Sequence, residues 1–252
     1  MKSESLHLEI RGHDLHRMVM HPDEGVQVKA VMICYHGQGD YAERYKDVLH
    51  VFTQRGICCV MTEFLGHGYS SGKRGHCGDE KLLDVVIKNT LDEYVMPEGL
   101  PYGVMGHSMG GLLAMRHIVL SGMGELPSLS FSWLSSPLIN PTNGRTRAFV
   151  KMVQILAKFM PSVTISTKVK PADFHKDSDV AVAAPPKDQP WHSQVSLGWG
   201  ALLISFAEFV EQNIEAVKGD LPILITQGLG DTVCPPENTR QLVAVIPSER
   251  KQ

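Results

Sequence analysis

The chain opens on two stretches of alternating apolar and polar residues, Leu6 to Ile10 and Leu15 to Met20, around the turn residues Arg11-Gly12-His13-Asp14. That pattern predicts an antiparallel hairpin. Lys29 to Tyr35 is a continuous apolar run, as expected of a strand buried on both faces. Tyr41 to Gln54 reads as helical, and Cys58 to Thr62 as a second buried strand. Asp79 to Val95 predicts an amphipathic helix, with Leu82, Val85, Val86 and Ile87 near one face and Lys88 and Asp92 opposite. A short strand at Tyr102 to Met105, a helix at Gly110 to Leu120 and a strand at Leu129 to Trp133 follow. From about Pro137 to Gly200 no strand–helix unit is readable. Regularity returns with a helix over Ala201 to Val217 and a buried strand over Pro222 to Thr226.

Strands alternating with helices predict an α/β fold with a mostly parallel sheet covered on both faces. The irregular stretch then reads as a cap inserted over the strand ends, residues 137–200, between core segments 1–136 and 201–252. At 252 residues, 43% of them apolar, the chain is long enough for one such core. A net charge of −3 gives no basic footprint for nucleic acid. The N-terminus lacks the apolar centre of a secretory signal, which points to the cytoplasm. The five cysteines have no metal-ligand spacing; Cys34, Cys58 and Cys59 fall in apolar runs, and His67, His76 and Cys77 read as solvated loop residues. No metal, disulfide or cofactor is expected.

Chemistry enters with Gly106-His107-Ser108-Met109-Gly110-Gly111, a G-x-S-x-G pentapeptide that ends a short strand and opens an apolar helix. The strand–turn–helix context is what a nucleophile elbow needs, with glycines where a Cβ would not fit. An N-capping serine at a Gly-rich helix start is the plainer reading, and the neighbouring motifs disfavour it. His36-Gly37-Gln38-Gly39 follows the first buried strand, where acyl-transfer enzymes of this build supply a second backbone N–H to the oxyanion. Met109 and Gln38 are the candidate oxyanion donors. Gly228-Leu229-Gly230-Asp231 follows the last strand, at the place of a triad acid. Taken alone Asp231 is a turn or cap residue; the order Ser then Asp favours catalysis.

Together these residues resemble the monoacylglycerol lipase and lysophospholipase group of α/β-hydrolases, also described as serine aminopeptidase-like. Tyr41, Arg44 and Tyr45 extend the His36 to Gly39 motif; Gly66-His67-Gly68 with Ser70, Gly72 and Arg74 matches a second loop of that group. Asp188, Pro190 and Gly198-Trp199-Gly200 resemble the end of its cap. Glu63 stands where the group usually has Asp, a departure that bears on loop structure more than on chemistry. The resemblance implies ester hydrolysis, with a single-acyl lipid such as a monoacylglycerol or lysophospholipid as substrate. Asp40 and Arg44 are candidates to bind its head group, with solvated surface charges as the plainer account.

The resemblance also implies a histidine after the acid, yet none lies between Asp231 and Gln252. The expectation is that the base belongs to a continuation of the chain, beyond one further strand, without which Ile223, Leu224 and Ile225 would line an unpaired edge. His36 and His107 sit in motif positions that support their turns; His175 and His192 lie in the cap. In the cap, Phe149, Met152, Val153, Leu156 and Met160 form an apolar stripe widened by Val150, Ile155 and Phe159. It serves equally as a helix packed on the core or as a greasy lid making transient contact with a membrane surface. Two alternatives stay open: an aminopeptidase of the same fold, and a noncatalytic binding protein that keeps the pocket without the triad. No sequence feature bears on oligomeric state.

Overall fold

Residues that alternate along the strands alternate in the layer they join. The computed structural model describes residues 2–142, 144–167 and 190–252. A hairpin of β1 (Lys2–Ile10) and β2 (His13–His21) leads into β3 (Ala30–Tyr35), a 3-10 turn (Ala42–Tyr45) and α1 (Lys46–Thr53). Then come β4 (Ile57–Thr62), α2 (Glu80–Tyr94), β5 (Tyr102–His107), α3 (Met109–Met123) and β6 (Phe131–Ser135). Helix α4 (Arg147–Phe159) and a small antiparallel pair, β7 (Thr164–Ser166) with β8 (Gln194–Ser196), lie outside the main sheet. The chain returns through α5 (Leu197–Gln212), β9 (Ile223–Thr226) and α6 (Pro236–Val245).

The sheet has seven strands in the order β1-β2-β4-β3-β5-β6-β9. The pairs β1-β2 and β2-β4 are antiparallel and the rest parallel, as the hairpin and the buried runs predict. Met32 and Cys34 of β3, Cys59 and Met61 of β4 and Met105 of β5 join Leu49 of α1 on one face. Val31, Ile33 and Tyr35, Cys58 and Val60, and Val104 point to the other face, under α2 and α3. Burial on both sides explains the unbroken apolar runs. Helix α3 is buried from Met109 to Ser121, as an all-round apolar helix must be. It ends on Gly124 at φ 82°, the left-handed stop that glycine permits.

Three expectations need correction. In α2, Val85 is exposed and the inward face is Leu83, Ile87 and Leu91, spaced by four residues; Asp79 caps the helix by accepting from Leu82 N at 2.8 Å. His67 and Cys77 are buried rather than solvated, with Cys77 Sγ 3.5 Å from His67 Nδ1. The outer edge of β9 is partly paired. Ile225 N donates to Gln252 O at 2.8 Å and Gln252 N to Ile223 O at 3.0 Å, so residues 250–252 run parallel to it. No helix among the described residues is long and apolar enough to cross a membrane.

Candidate active site

A single residue separates β5 from α3, and it is Ser108. Its backbone is forced to φ 53°, ψ −119°, a conformation that costs a non-glycine residue about 1–3 kcal/mol. The surroundings hold it there: Ser108 N donates to Ser135 O at 2.9 Å, and its carbonyl accepts from Gly111 N and Leu138 N, both at 2.8 Å. The glycines are required by contact. A Cβ at Gly106 would lie 2.0 Å from Gly110 O, and one at Gly110 would lie 2.1 Å from Tyr35 O. Although Ser108 occupies the helix N-cap, its hydroxyl caps nothing. Oγ lies 3.7 Å from Cys234 Sγ.

The loop after β3 lies against this turn: a Cβ at Gly37 would be 3.6 Å from Ser108 Cβ. Gln38 N makes no hydrogen bond among the described residues. Met109 N, at the first position of α3, has no acceptor within its helix. Among the described residues, both N–H groups are thus left without a backbone acceptor. The loop is anchored from beneath, where Gly37 N donates to Tyr45 Oη at 3.1 Å and Tyr45 Oη to Asp40 Oδ2 at 2.9 Å. Asp40 Oδ1 accepts from Tyr41 N and from Arg44 Nη1, both at 3.0 Å. Asp40 is thus buried and occupied with the loop, while Arg44 stays exposed at an open cleft shared with His107 and Ser135.

Asp231 follows β9 and closes a tight turn. Its Oδ1 accepts from Val233 N at 2.9 Å and Cys234 N at 2.8 Å, while among the described residues Oδ2 meets only Gln227 Nε2, at 3.4 Å. That turn presents Cys234 to Ser108, so the Gly228–Cys234 loop and the Ser108 turn are neighbours. Burial pushes the Cys234 thiol up to about 11, which keeps it neutral beside the serine.

The histidines near this centre are committed to structure. His36 accepts from Phe64 N through Nε2 at 3.1 Å, with Nδ1 2.8 Å from Gly37 O, and burial lowers its pKa. His192 accepts from Gln194 N through Nδ1 at 3.1 Å and reaches Gly66 O with Nε2 at 3.0 Å; burial lowers it to about 4. Burial likewise lowers His107, whose Nδ1 is 3.1 Å from Ser135 Oγ. His175 and Asp188 lie outside the described residues.

Glu63 is fully buried and accepts from Ala42 N at 2.7 Å and Tyr69 N at 2.5 Å, tying the segment after His36–Gly39 to the Gly66–Gly68 loop. Burial raises its pKa, but His16 at 3.0 Å and the Ala42 N–H prevail and bring it below the ordinary value. Trp199 and Cys234 are the neighbours that sequence reasoning left without a role. The only signals were Trp199 between two glycines and Cys234 three residues after Asp231.

Residues 26–252 match the serine aminopeptidase S33 family. An uncharacterized abhydrolase domain-containing protein of Dictyostelium discoideum is 32% identical over 223 residues, which is 87% of this chain and 22% of that protein. The chain thus spans about a fifth of that relative's length. The monoacylglycerol lipase of Mycolicibacterium smegmatis is 27% identical over 223 residues, covering 88% of this chain and 77% of that one. In three dimensions the chain is similar to a soluble variant of monoglyceride lipase from Saccharomyces cerevisiae bound to a substrate analog. The TM-score is 0.81 at 21% identity, over 98% of this chain and 84% of the other. The chain belongs to the serine aminopeptidase S33 family and is an α/β-hydrolase of the monoacylglycerol lipase group.

Proposed function

We propose that the protein hydrolyses carboxylic esters of single-acyl lipids, monoacylglycerols or lysophospholipids, through an acyl-enzyme on Ser108. The observation that carries this reading is the strained Ser108 turn, whose hydroxyl caps no helix; the Gln38 and Met109 N–H groups, without a backbone acceptor among the described residues, support it. In this reading Oγ attacks the acyl carbonyl and its proton passes to an imidazole base oriented by Asp231. The carbonyl oxygen, now an anion, is held by the N–H groups of Gln38 and Met109. Collapse expels the alcohol, which takes the proton from the imidazolium, and water then releases the acid by the same steps. The base is the one member of this machinery not identified among the described residues. A binding protein that keeps the pocket would not need a strained serine.

The lipid preference rests on the face of α4. Phe149, Met152, Ile155, Phe159 and Met160 are exposed, and Ala157 is the buried residue of that helix. An apolar face left open suits a lid that takes substrate from a lipid surface better than a helix packed on the core. We assign residues 137–200 to this cap. Arg44 is the member of the Asp40–Arg44 pair with donors to spare for a head group, and Asp40 positions it. The aminopeptidase alternative needs an acidic site for a free amine, and the described part of the cap offers only apolar, basic and neutral side chains. Labelling with a fluorophosphonate tests the nucleophile: Ser108→Ala should abolish it, and labelling that persists would move the nucleophile elsewhere. Monoacylglycerol should be cleaved at least about tenfold better in kcat/KM than an aminoacyl amide, or ~1.4 kcal/mol. The opposite order would favour the peptidase.

A further inference from the structure

Gln38 and Met109 come from different elements, a loop and a helix, so the separation of their two N–H groups depends on how loop and helix are held together. Their side chains meet at one atom. The indole Nε1 of Trp199 donates to Gln38 Oε1 at 3.0 Å and to Met109 Sδ at 3.2 Å. The other end of the Gln38 amide, Nε2, donates to Gln194 O at 2.6 Å. An indole N–H can only donate, so the amide is fixed with its oxygen toward Trp199 and its nitrogen toward Gln194.

The anchor is itself rigid. Trp199 is almost fully buried in the first turn of α5, where its backbone N–H donates to Ser196 Oγ at 3.1 Å. Its ring packs between Phe64 and Phe206, with centroids at 6.2 and 6.4 Å. The next residue of the loop is pinned by the same segment: His192 N donates to Gly39 O at 3.0 Å. A Cβ at Gly39 would lie 1.7 Å from His192 O, so loop and segment are in direct backbone contact.

We propose that Trp199 is a positioning residue of the oxyanion hole, its single N–H holding the Gln38 loop at a fixed distance from the start of α3. This rests on the assignment of Gln38 and Met109 as the oxyanion donors. Such donors act when they stand within about 2.7–3.1 Å of the developing anion, and a misplacement of ~1 Å costs about a hundredfold in rate. A loop held only at its ends does not meet that tolerance; a side chain tied at both ends does.

The test is Trp199→Phe in the 252-residue chain, which keeps the ring and removes the N–H, beside Gln38→Leu and the double variant. Two quantities are read: turnover of a p-nitrophenyl ester, and hydrogen exchange by NMR of the Asp40 and His192 amides, which donate to Gly37 O and Gly39 O of the loop. Trp199→Phe should lower kcat by about tenfold with KM unchanged, because the lost contact matters only once the anion forms. Both amides should exchange about tenfold faster, and Trp199→Phe should add little in the Gln38→Leu background. Unchanged exchange overturns the proposal, as does wild-type kcat in Trp199→Phe or full additivity in the double variant. If the unaltered chain shows no Ser108-dependent turnover even with imidazole added as base, the hydrolase reading fails instead, and the exchange rates alone decide whether Trp199 fixes the loop.

Discussion

A side chain at position 68 and the carboxylate of Glu63 compete for one volume: a Cβ on Gly68 would lie 2.0 Å from Glu63 Oε2. Gly68 also sits at φ 49°, where L-residues are disfavoured. Gly68→Ala is therefore expected to destabilise by about 3 kcal/mol, from overpacking and backbone strain together. Denaturant unfolding that places the variant within 0.5 kcal/mol of the parent, on the order of a surface change, would refute this.

The same carboxylate gives a second, independent prediction. Both oxygens of Glu63 face backbone donors, Ala42 N and Tyr69 N. Glu63→Gln must turn an NH2 toward one of them, leaving a buried donor unpaired, at about 1–3 kcal/mol. Glu63→Asp keeps two acceptors on a shorter stem and should lose less. Equal losses in the two variants would show that reach, not acceptor count, governs the site.

The layered architecture was legible because it rests on short-range patterns. The run expected over Lys29 to Tyr35 is buried on both faces from Ala30 onward, as is Cys58 to Thr62, and Gly106 to Gly111 folds into the elbow its glycines predict. What was not legible depends on partners distant in sequence. Val85 and Leu83 are equally apolar, and only the position of the sheet decides that Leu83 turns inward. His67 and Cys77 look like loop residues because they are, but the returning segment at His192 covers them, its ring 4.6 Å from that of His67. Trp199 acquires its place from residues 161 and 90 positions away, Gln38 and Met109. No local window contains that information.

Several buried histidines are held neutral, and this sets an acid limit on stability. His117 is fully buried between Tyr35 Oη at 2.7 Å and Tyr102 Oη at 3.1 Å from its two ring nitrogens. Burial first, and Arg116 beside it second, lower its pKa from 6.5 to about 3. A group with a depressed folded pKa binds its proton in the unfolded chain first, so unfolding gains protons as pH falls below 6.5. Stability from this site is complete above that pH and is lost progressively down to about 3, at ~1.4 kcal/mol per pH unit. His36, His67 and His192 act in the same direction. His117→Phe should be less stable at pH 7 yet show a shallower decline in acid. Parallel pH profiles for parent and variant would sink the assignment.

The exposed face of α4 should bind lipid surfaces. Phe159→Ser with Ile155→Ser removes two of its most exposed apolar groups, 78% and 56% accessible, without touching the buried Ala157. The vesicle partition coefficient from co-sedimentation with phosphatidylcholine is expected to fall by about 30-fold or more, each buried side chain contributing roughly 1–2 kcal/mol. Turnover of a short water-soluble ester should be unchanged. Undiminished sedimentation would mean that the stripe is not the contact.

The last prediction concerns the base. Among the described residues His36 and His192 have both ring nitrogens engaged with backbone groups, and His107 spends Nδ1 on Ser135. None is paired with Asp231, whose Oδ2 keeps acceptor capacity beyond its 3.4 Å contact with Gln227. If no imidazole of residues 1–252 serves Ser108, a small imidazole supplied from solution should do so, with Asp231 orienting it and the Gln38 and Met109 N–H groups holding the anion in the proposed reaction. Added imidazole should therefore raise Ser108-dependent hydrolysis of a p-nitrophenyl ester by at least about tenfold, a modest share of what general-base catalysis supplies. Imidazole attacks such esters unaided, so the quantity that matters is the excess over Ser108→Ala under the same conditions. Asp231→Asn should reduce the excess, since the entering ring loses its orienting acceptor. An excess that is absent in a chain already turning over ester would show that one of its own histidines is the base. His175→Ala would then be the first variant to test.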